Sequence, residues 1–540
     1  MRAVARDLTA AGPIVLFVLA FALVPVALLF ASSLAANGGW GSLAAVAAEP
    51  LNAMSIDNSI EQGALSALIA VALGYPAGVF FGRYAWRGRT MLRSFLLLPF
   101  LLPSLVVVLG ILDLFGPGGF VSAAVPGAAT LGTGLPGIVA ANLVFNVPIV
   151  ILFTAIGCEA TSADLEETVA SLGGSPARAF REVWGPPTWV GAAVGGLLTF
   201  LFSALSFAPP LLLCGPKCYT VEARIWSLDQ VFLDPGAAGV LALVAVVLFL
   251  VPALAYLALV ARLRSRPGRR PAAPRPVGPR DPVAIALAAE TALVLAGLAT
   301  VLGSVVFRAF VPTGGGGAGS AYAALFSSAT TDRLGISAAG MAGNTLFFAT
   351  VAAGLAILLG VPAGYAVVRR PRWWQGLGLL LFVPLLLSPI VLAFALATFW
   401  RPVLGGESTI WFLVIVSQTI LAIPFALQSL EIPLSGLGPS GRETSETLGA
   451  SPWNAFLDAD LPRVREGLVT ASLFAFALGL GEFTATYFLV TPQYTTLPVG
   501  LYRLQEARQF AVADAAAGLL LLLSLVVFLV LVLGGRRAEL

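Results

Sequence analysis

Histidine is absent from all 540 residues, and lysine occurs once, at Lys217. The first absence excludes histidine-based catalytic triads, HExxH zinc sites and imidazole metal cages. The second removes nucleotide chemistry from the chain. A phosphate-binding loop needs G-x-x-x-x-G-K-[ST], and Lys217 is followed by Cys218. Charge is scarce as well: 11% of residues carry one and 58% are hydrophobic, whereas soluble domains are about 25% charged. A net charge of +3 is too small to argue for nucleic acid. Cysteine occurs three times, at Cys158, Cys214 and Cys218. The spacing of the last two allows a small disulfide on an oxidising face, or two unrelated small apolar residues.

What the chain has in abundance is long apolar runs. A bilayer crossing takes about 20 apolar residues, and twelve stretches qualify. They lie at 13–34, 59–82, 94–115, 136–157, 188–213 and 236–261, then at 283–307, 341–368, 377–400, 409–430, 466–490 and 511–534. They predict an all-α integral membrane protein of about 12 transmembrane helices. Arg2 and Arg6 stand before the first run as in a signal peptide. The run from Pro13 to Leu34 lacks a small-x-small cleavage site, so it reads as a retained span. Pro99, Pro103, Pro384 and Pro389 predict kinks in the third and ninth spans.

Arginine sets the expected orientation. With the N-terminus inside, 23 of the 30 Lys and Arg fall on the cytoplasmic side, including seven Arg in the Arg- and Pro-rich segment 262–282. Both termini are then cytoplasmic, in a multi-pass protein of the cytoplasmic membrane. The segment 262–282 has no hydrophobic period and reads as a cytoplasmic linker, with a basic contact to the lipid bilayer surface as the alternative.

That linker divides a duplication. Residues 1–261 and 283–540 are expected to be two tandem six-helix repeats. Asn58, Pro76, Gly78 and Arg83 match Asn344, Pro362, Gly364 and Arg369 at an offset of 286. Pro148, Phe207 and Trp226 match Pro424, Phe483 and Tyr502 at an offset of 276. The best-kept polar parts are two loops, within 158–187 and 431–465. One carries Glu167, Gly173, Ser175, Pro176, Ala179, Phe180 and Pro186; the other carries Glu443, Gly449, Ser451, Pro452, Ala455, Phe456 and Pro462. Glycine is favoured just past a helix C-terminus, and Ser-Pro at a helix start. Each copy therefore predicts helix, glycine turn, short helix with Ala-Phe exposed, and a proline-marked entry into the next span. The upstream Glu is expected to accept from the turn's amides or to meet an arginine of a partner.

The frame Glu167/Gly173/Val183/Gly185-Pro186 and its copy Glu443/Gly449/Ala459/Leu461-Pro462 resemble the EAA motif of ABC-transporter permeases. The departures are Thr-Val and Thr-Ser for the two Ala, Gly185 for Leu and Ala459 for Ile. The resemblance covers essentially the whole chain and implies the type I importer (MetI-like) architecture in a fused pair. Leu102-Pro-Ser-Leu-Val-Val-Val-Leu-Gly-Ile-Leu, Phe145-Asn-Val-Pro148 and Ala422-Ile-Pro-Phe-Ala-Leu are similar to thiamine-type permeases, which places thiamine ahead of iron(III) as solute. In that family the motif is the coupling helix that docks into the nucleotide-binding subunit. The resemblance thus implies two copies of an ABC ATPase beneath the two loops, ATP and Mg bound by that partner, and no catalytic site or cofactor in this chain. It also implies an extracytoplasmic solute-binding protein, with 217–224 and 494–508 as candidate contact segments, or simple loops.

Glu482 lies within a predicted span, where a charge costs about 2.5–3.5 kcal/mol and faces a cavity or a partner. It reads as a pathway residue for a cation or as a carboxylate hydrogen-bonded to neighbouring helices. Its repeat counterpart is Ser206. Asn146, Gln418 and Tyr487 are further pathway candidates, or interhelical hydrogen-bonding groups. The competing function is an ion-coupled secondary transporter with two six-helix halves.

Overall fold

The computed structural model describes residues 11–96, 98, 102–161, 163–264, 274–278, 280–311, 317, 319–369, 388–437 and 439–536. Among these residues, 11 helices are long and apolar enough to cross a membrane. The helices that position the site are α1 (Ala11–Ala36), α2 (Pro50–Arg83), α3 (Gly134–Glu159), α4 (Ala163–Ser171), α5 (Gly185–Ala204) and α6 (Pro282–Phe310). They continue with α7 (Ala338–Arg369), α8 (Ile410–Ser435), α9 (Pro439–Thr447), α10 (Leu461–Gly481) and α11 (Thr484–Leu489). The all-α membrane class is as expected. The remaining expected span, the ninth at 377–400, falls partly outside the described residues; the helix Pro389–Val403 covers its described end.

Two of the predicted kinks are helix starts instead. Pro389 is the first residue of its helix, where the Ser388 hydroxyl accepts from the Ile390 and Val391 amides. Pro103 immediately precedes the helix Ser104–Phe115. A proline at the first helical position costs no hydrogen bond, because that amide has no partner in the helix. Pro99 and Pro384 lie outside the described residues.

Helices in lipid gain little from hydrophobic burial against each other, so close backbone approach through small residues takes over. A Cβ added at Gly74, Gly78 or Gly82 of α2 would lie 2.8, 2.5 and 2.5 Å from side-chain carbons of Val150, Thr154 and Cys158 on α3. Their four-residue spacing puts all three on one face. α5 closes on α3 in the same way, Gly191 lying where a Cβ would be 2.3 Å from the Phe153 carbonyl. The matching trio α7, α8 and α10 also pack together. There the fit is looser at Gly360, whose nearest neighbour to an added Cβ is 3.9 Å away.

The duplication is written in hydrogen bonds. Asn58 Nδ2 donates to the Lys217 and Tyr219 carbonyls, each at 3.2 Å, and Asn344 Nδ2 to those of Gln493 and Thr495 at 3.1 and 3.0 Å. One residue on, the Ser59 hydroxyl accepts the Val221 amide at 2.9 Å and the Thr345 hydroxyl accepts the Leu497 amide at 2.8 Å. Every pair obeys the two sequence offsets. Cys214 and Cys218 form a disulfide in the first of these hairpins, their Cα atoms 5.6 Å apart. The second hairpin has Val490 and Tyr494 in their place.

The compact units do not follow the boundaries 1–261 and 283–540. One unit joins 1–36 and 101–103 to 309–540; the other joins 37–100 to 104–308. In the first, the Trp400 indole donates to the Ala20 carbonyl at 3.0 Å, with the Phe21 ring 5.0 Å from it. In the second, α6 lies on Ser104–Phe115: Ser304 Oγ donates to the Gly110 carbonyl at 3.2 Å, and Arg308 pairs with Asp113 at 3.8 Å. Each repeat's first span thus packs within the unit that holds the rest of the other repeat. Sequence identity sets the repeats, and packing sets the units.

Gly78→Leu should lower the thermal unfolding midpoint of the purified protein, by an overpacking cost of about 1–3 kcal/mol. Gly354→Leu, exposed on α7 and with nothing within 4 Å of an added Cβ, should shift it little. Equal midpoints for the two variants would contradict the close-contact account.

Candidate functional site

Both copies of the repeated stretch fold alike. α4 ends on Gly173 at φ +72° and α9 on Gly449 at φ +89°, left-handed conformations that suit glycine. The Gly174 amide returns to the Val169 carbonyl at 2.8 Å and the Ala450 amide to the Ser445 carbonyl at 3.0 Å, closing each turn as a Schellman motif. Ser175 and Ser451 then cap the one-turn helices Pro176–Ala179 and Pro452–Ala455, their hydroxyls accepting the Arg178 and Asn454 amides at 3.3 and 3.2 Å. A wide π turn follows, Phe180–Trp184 or Phe456–Asp460, before α5 and α10 begin with Pro186 and Pro462 in their first turns. The predicted order of helix, glycine turn and serine-capped short helix holds in both copies.

Side chains depart from the expected pattern at three points. The turn amides bond to backbone carbonyls, so Glu167 does not serve them; it is exposed on α4. Its neighbour Glu166 is the paired carboxylate, bonded to Arg83 of α2 and, at 3.0 Å, to Arg275. Helix geometry decides this: α4 turns the 166 position toward α2 and the 167 position to solvent. The Ala-Phe pair is not an exposed face either. Ala455 is fully buried, the Phe180 ring lies 4.4 Å from that of Trp184, and the Phe456 ring lies 5.8 Å from that of Tyr365. Among the described residues of the two stretches, the most exposed large apolar side chains are Leu172 at 77% and Leu448 at 83%, each directly before its glycine. Their matched positions and exposure were readable from the offset, but only as part of the turn. The side chains of Pro176, Glu443 and Pro452 lie outside the described set.

The pathway candidates fall into two polar clusters, one in each unit. Glu482 ends α10 and caps α11: its carboxylate accepts the Ala485 and Thr486 amides at 2.7 and 2.8 Å and the Thr486 hydroxyl. Gln418 joins through Nε2 donating to Thr486 Oγ1 at 3.3 Å. Tyr487 stands apart from these bonds in an aromatic group, 5.2 Å from the Phe483 ring and 4.8 Å from that of Tyr502. In the other unit, Asn146 Nδ2 donates to the Asn142 carbonyl at 2.7 Å and to Ser203 Oγ at 3.2 Å. Gln62 Nε2 donates to the Ser203 carbonyl at 2.8 Å and to Ser206 Oγ at 3.2 Å. Sequence reasoning missed Gln62 and Asn142. Asn142 was within reach, since the 276 offset pairs it with Gln418; Gln62 matches Phe348 and gave no repeat signal.

A side chain beyond glycine in the left-handed region costs about 1–2 kcal/mol. Gly173→Val and Gly449→Val should therefore loosen their turns, read as amide hydrogen exchange faster by about 5–30-fold across 166–180 or 442–456. Unchanged exchange in both would contradict the turn assignment.

The chain is similar to the molybdenum transport system permease protein ModB of Mycobacterium tuberculosis, at 35% identity over 197 residues, 34% of this chain and 73% of that protein. ModB of Azotobacter vinelandii is 29% identical over 202 residues, 35% of this chain and 89% of that protein. The thiamine transport system permease protein ThiP of Salmonella typhimurium is 27% identical over 509 residues, 89% of each chain. No protein-family model matches. The ModB similarities are one repeat long, and the ThiP similarity runs through both. With its apolar helices and its doubled glycine-turn loop, the chain is a multi-pass membrane protein and belongs to the ABC-transporter permeases, in the fused layout of the thiamine type.

Proposed function

We propose that the chain is the membrane subunit of an ATP-driven importer for a small cationic solute, thiamine by preference. The similarity to ThiP along 509 residues, through both repeats, carries this reading. Iron(III) gains no support from the relatives named above. The full-length frame favours thiamine over a molybdenum oxyanion, for which the shorter 35% match to ModB speaks. Family membership sets aside an ion-coupled carrier.

In this reading the chain is not an enzyme and holds no cofactor. ATP and Mg belong to a separate ATPase, of which two copies dock at the stretches around Gly173 and Gly449. The exposed Leu172 and Leu448 supply the apolar contact that an Ala-Phe face was expected to give. The concentration of Arg near these stretches supports a cytoplasmic position for them and for both termini. The hairpins held by Asn58 and Asn344 lie at the far ends of α2 and α7 and receive the solute-binding protein. Glu482, Gln418 and Tyr487, with Asn146 and Ser206, line the route of the solute, the Glu482 carboxylate favouring a cation.

Reconstituted with its ATPase and binding protein, the transporter should hydrolyse ATP faster when thiamine-loaded binding protein is added. Stimulation by molybdate-loaded protein alone would replace thiamine with the oxyanion. Gly173→Val together with Gly449→Val should abolish co-purification of the ATPase; full retention would remove these stretches as docking points. Glu482→Gln keeps an acceptor for α11 and loses the charge, so uptake of the cation should fall by about tenfold, one pKa-unit-sized interaction. Unchanged uptake would leave Glu482 a helix cap and nothing more.

A further inference from the structure

The two copies of the repeated stretch differ in sequence just ahead of Glu167 and Glu443, at Glu166 and Arg442. In the first, Glu166 lies between two arginines that come from opposite directions in sequence. Arg83, the last residue of α2, bonds Glu166 Oε1 and sets its guanidinium 4.7 Å from the centre of the Trp184 ring. Arg275, from the segment between the repeats, reaches Glu166 Oε2 at 3.0 Å. That segment is itself anchored. Tyr84–Ala85 (β1) and Arg275–Pro276 (β2) pair in parallel, Tyr84 opposite Arg275 and Ala85 opposite Pro276. The Tyr84 hydroxyl donates to Asp281 Oδ2 at 3.4 Å. Burial, reinforced by the Asp281 carboxylate, pushes the Tyr84 phenol above its ordinary value and keeps it a donor.

At the offset of 276 the second copy has Arg442 where the first has Glu166. The carboxylate at the centre of the clamp therefore has no counterpart at the matched position of the second copy. Residues 262–282 read as a spacer from composition, yet their described end is part of the first docking element.

We propose that Arg275, with Pro276 and Asp281, braces the first coupling element, Arg275 being the positioning residue, so that the two ATPase docking points are unequal. The proposal rests on the docking reading above. The two halves of the clamp differ in kind. Arg83 and Glu166 are nearly dry, at 9% and 10% exposure, and form a fixed joint between α2 and α4. Arg275 is 61% exposed, so its bond is weak, screened by salt and free to break and re-form as the element moves.

The full transporter tests this with a protease site placed in the linker between 266 and 270. Glu166→Cys with Arg275→Cys should crosslink with a short bis-maleimide, whose reach is that of a Glu–Arg pair rather than of a disulfide, leaving the two halves joined on a denaturing gel after cleavage. Each single-cysteine variant should separate; the native free thiol, Cys158, is buried. Halves that separate in the double variant would overturn the brace. In the second arm, Arg275→Ala should lower solute taken up per ATP hydrolysed by about two- to fivefold, the range of a partly exposed ion pair, with Arg275→Lys recovering most of it. Raising the salt should shrink the gap between Ala and wild type. Coupling equal to wild type in Arg275→Ala, or equal loss in Ala and Lys, would also overturn it. A crosslink with no ATPase co-purifying would sustain the brace and remove the docking reading; a bound ATPase with no crosslink would do the reverse.

Discussion

The close contact of α2 with α3 is the constraint on which the described site depends. Gly82 lies so near Cys158 and Ala155 that no side chain fits between the two helices. The next residue, Arg83, is thereby brought to the end of α3, where α4 starts within a few residues, and so within reach of Glu166. At the other end of α2, Asn58 and Ser59 hold the disulfide-bearing hairpin. The 25 residues between Asn58 and Arg83 span about 38 Å at 1.5 Å per residue, more than the roughly 30 Å of a hydrocarbon core. One helix, packed through glycine rather than through long side chains, joins the disulfide-bearing hairpin to the glycine-turn loop.

The repeated stretch solves a different problem, a sharp reversal between helices with few polar groups to spare. Left-handed glycine closes each first helix by backbone bonds alone, and the serine hydroxyl opens the next. Because the backbone satisfies itself, the side chains around the turn are released. Leu172 and Leu448 can stand in solvent.

Composition revealed the class and 11 of the twelve expected spans, since bilayer thickness fixes helix length whatever the neighbours do. The offsets of 276 and 286 revealed the repeats, and Asn58 and Asn344 turned out to make the same bonds. The glycine turn and the serine cap were readable too, because both are local chemistry. What escaped was everything set by tertiary contact. Whether Glu166 or Glu167 meets Arg83 depends on the rotation of α4 about its axis. Whether Phe456 is outside depends on Tyr365 being beside it. The exchange of first spans between the compact units leaves no mark on a hydropathy pattern, since a span reads the same whichever bundle it joins.

Glu482 shows how a charge in a membrane protein is explained first by the backbone. The helix α11 begins beside it with free amides at Ala485 and Thr486, and a buried amide without an acceptor is costly. The carboxylate supplies the acceptor, and the amides in turn offset the cost of burying the charge. The other repeat has Ser206 at the equivalent position, and no carboxylate is needed there. Its counterparts of Ala485 and Thr486 are Pro209 and Pro210, which have no N–H to satisfy. Serine and two prolines, or glutamate and two amides, are two solutions to one helix start, and the chain uses one in each half. Any transport role of Glu482 is therefore an addition to capping, carried by whatever accepting capacity the amides and Thr486 leave free.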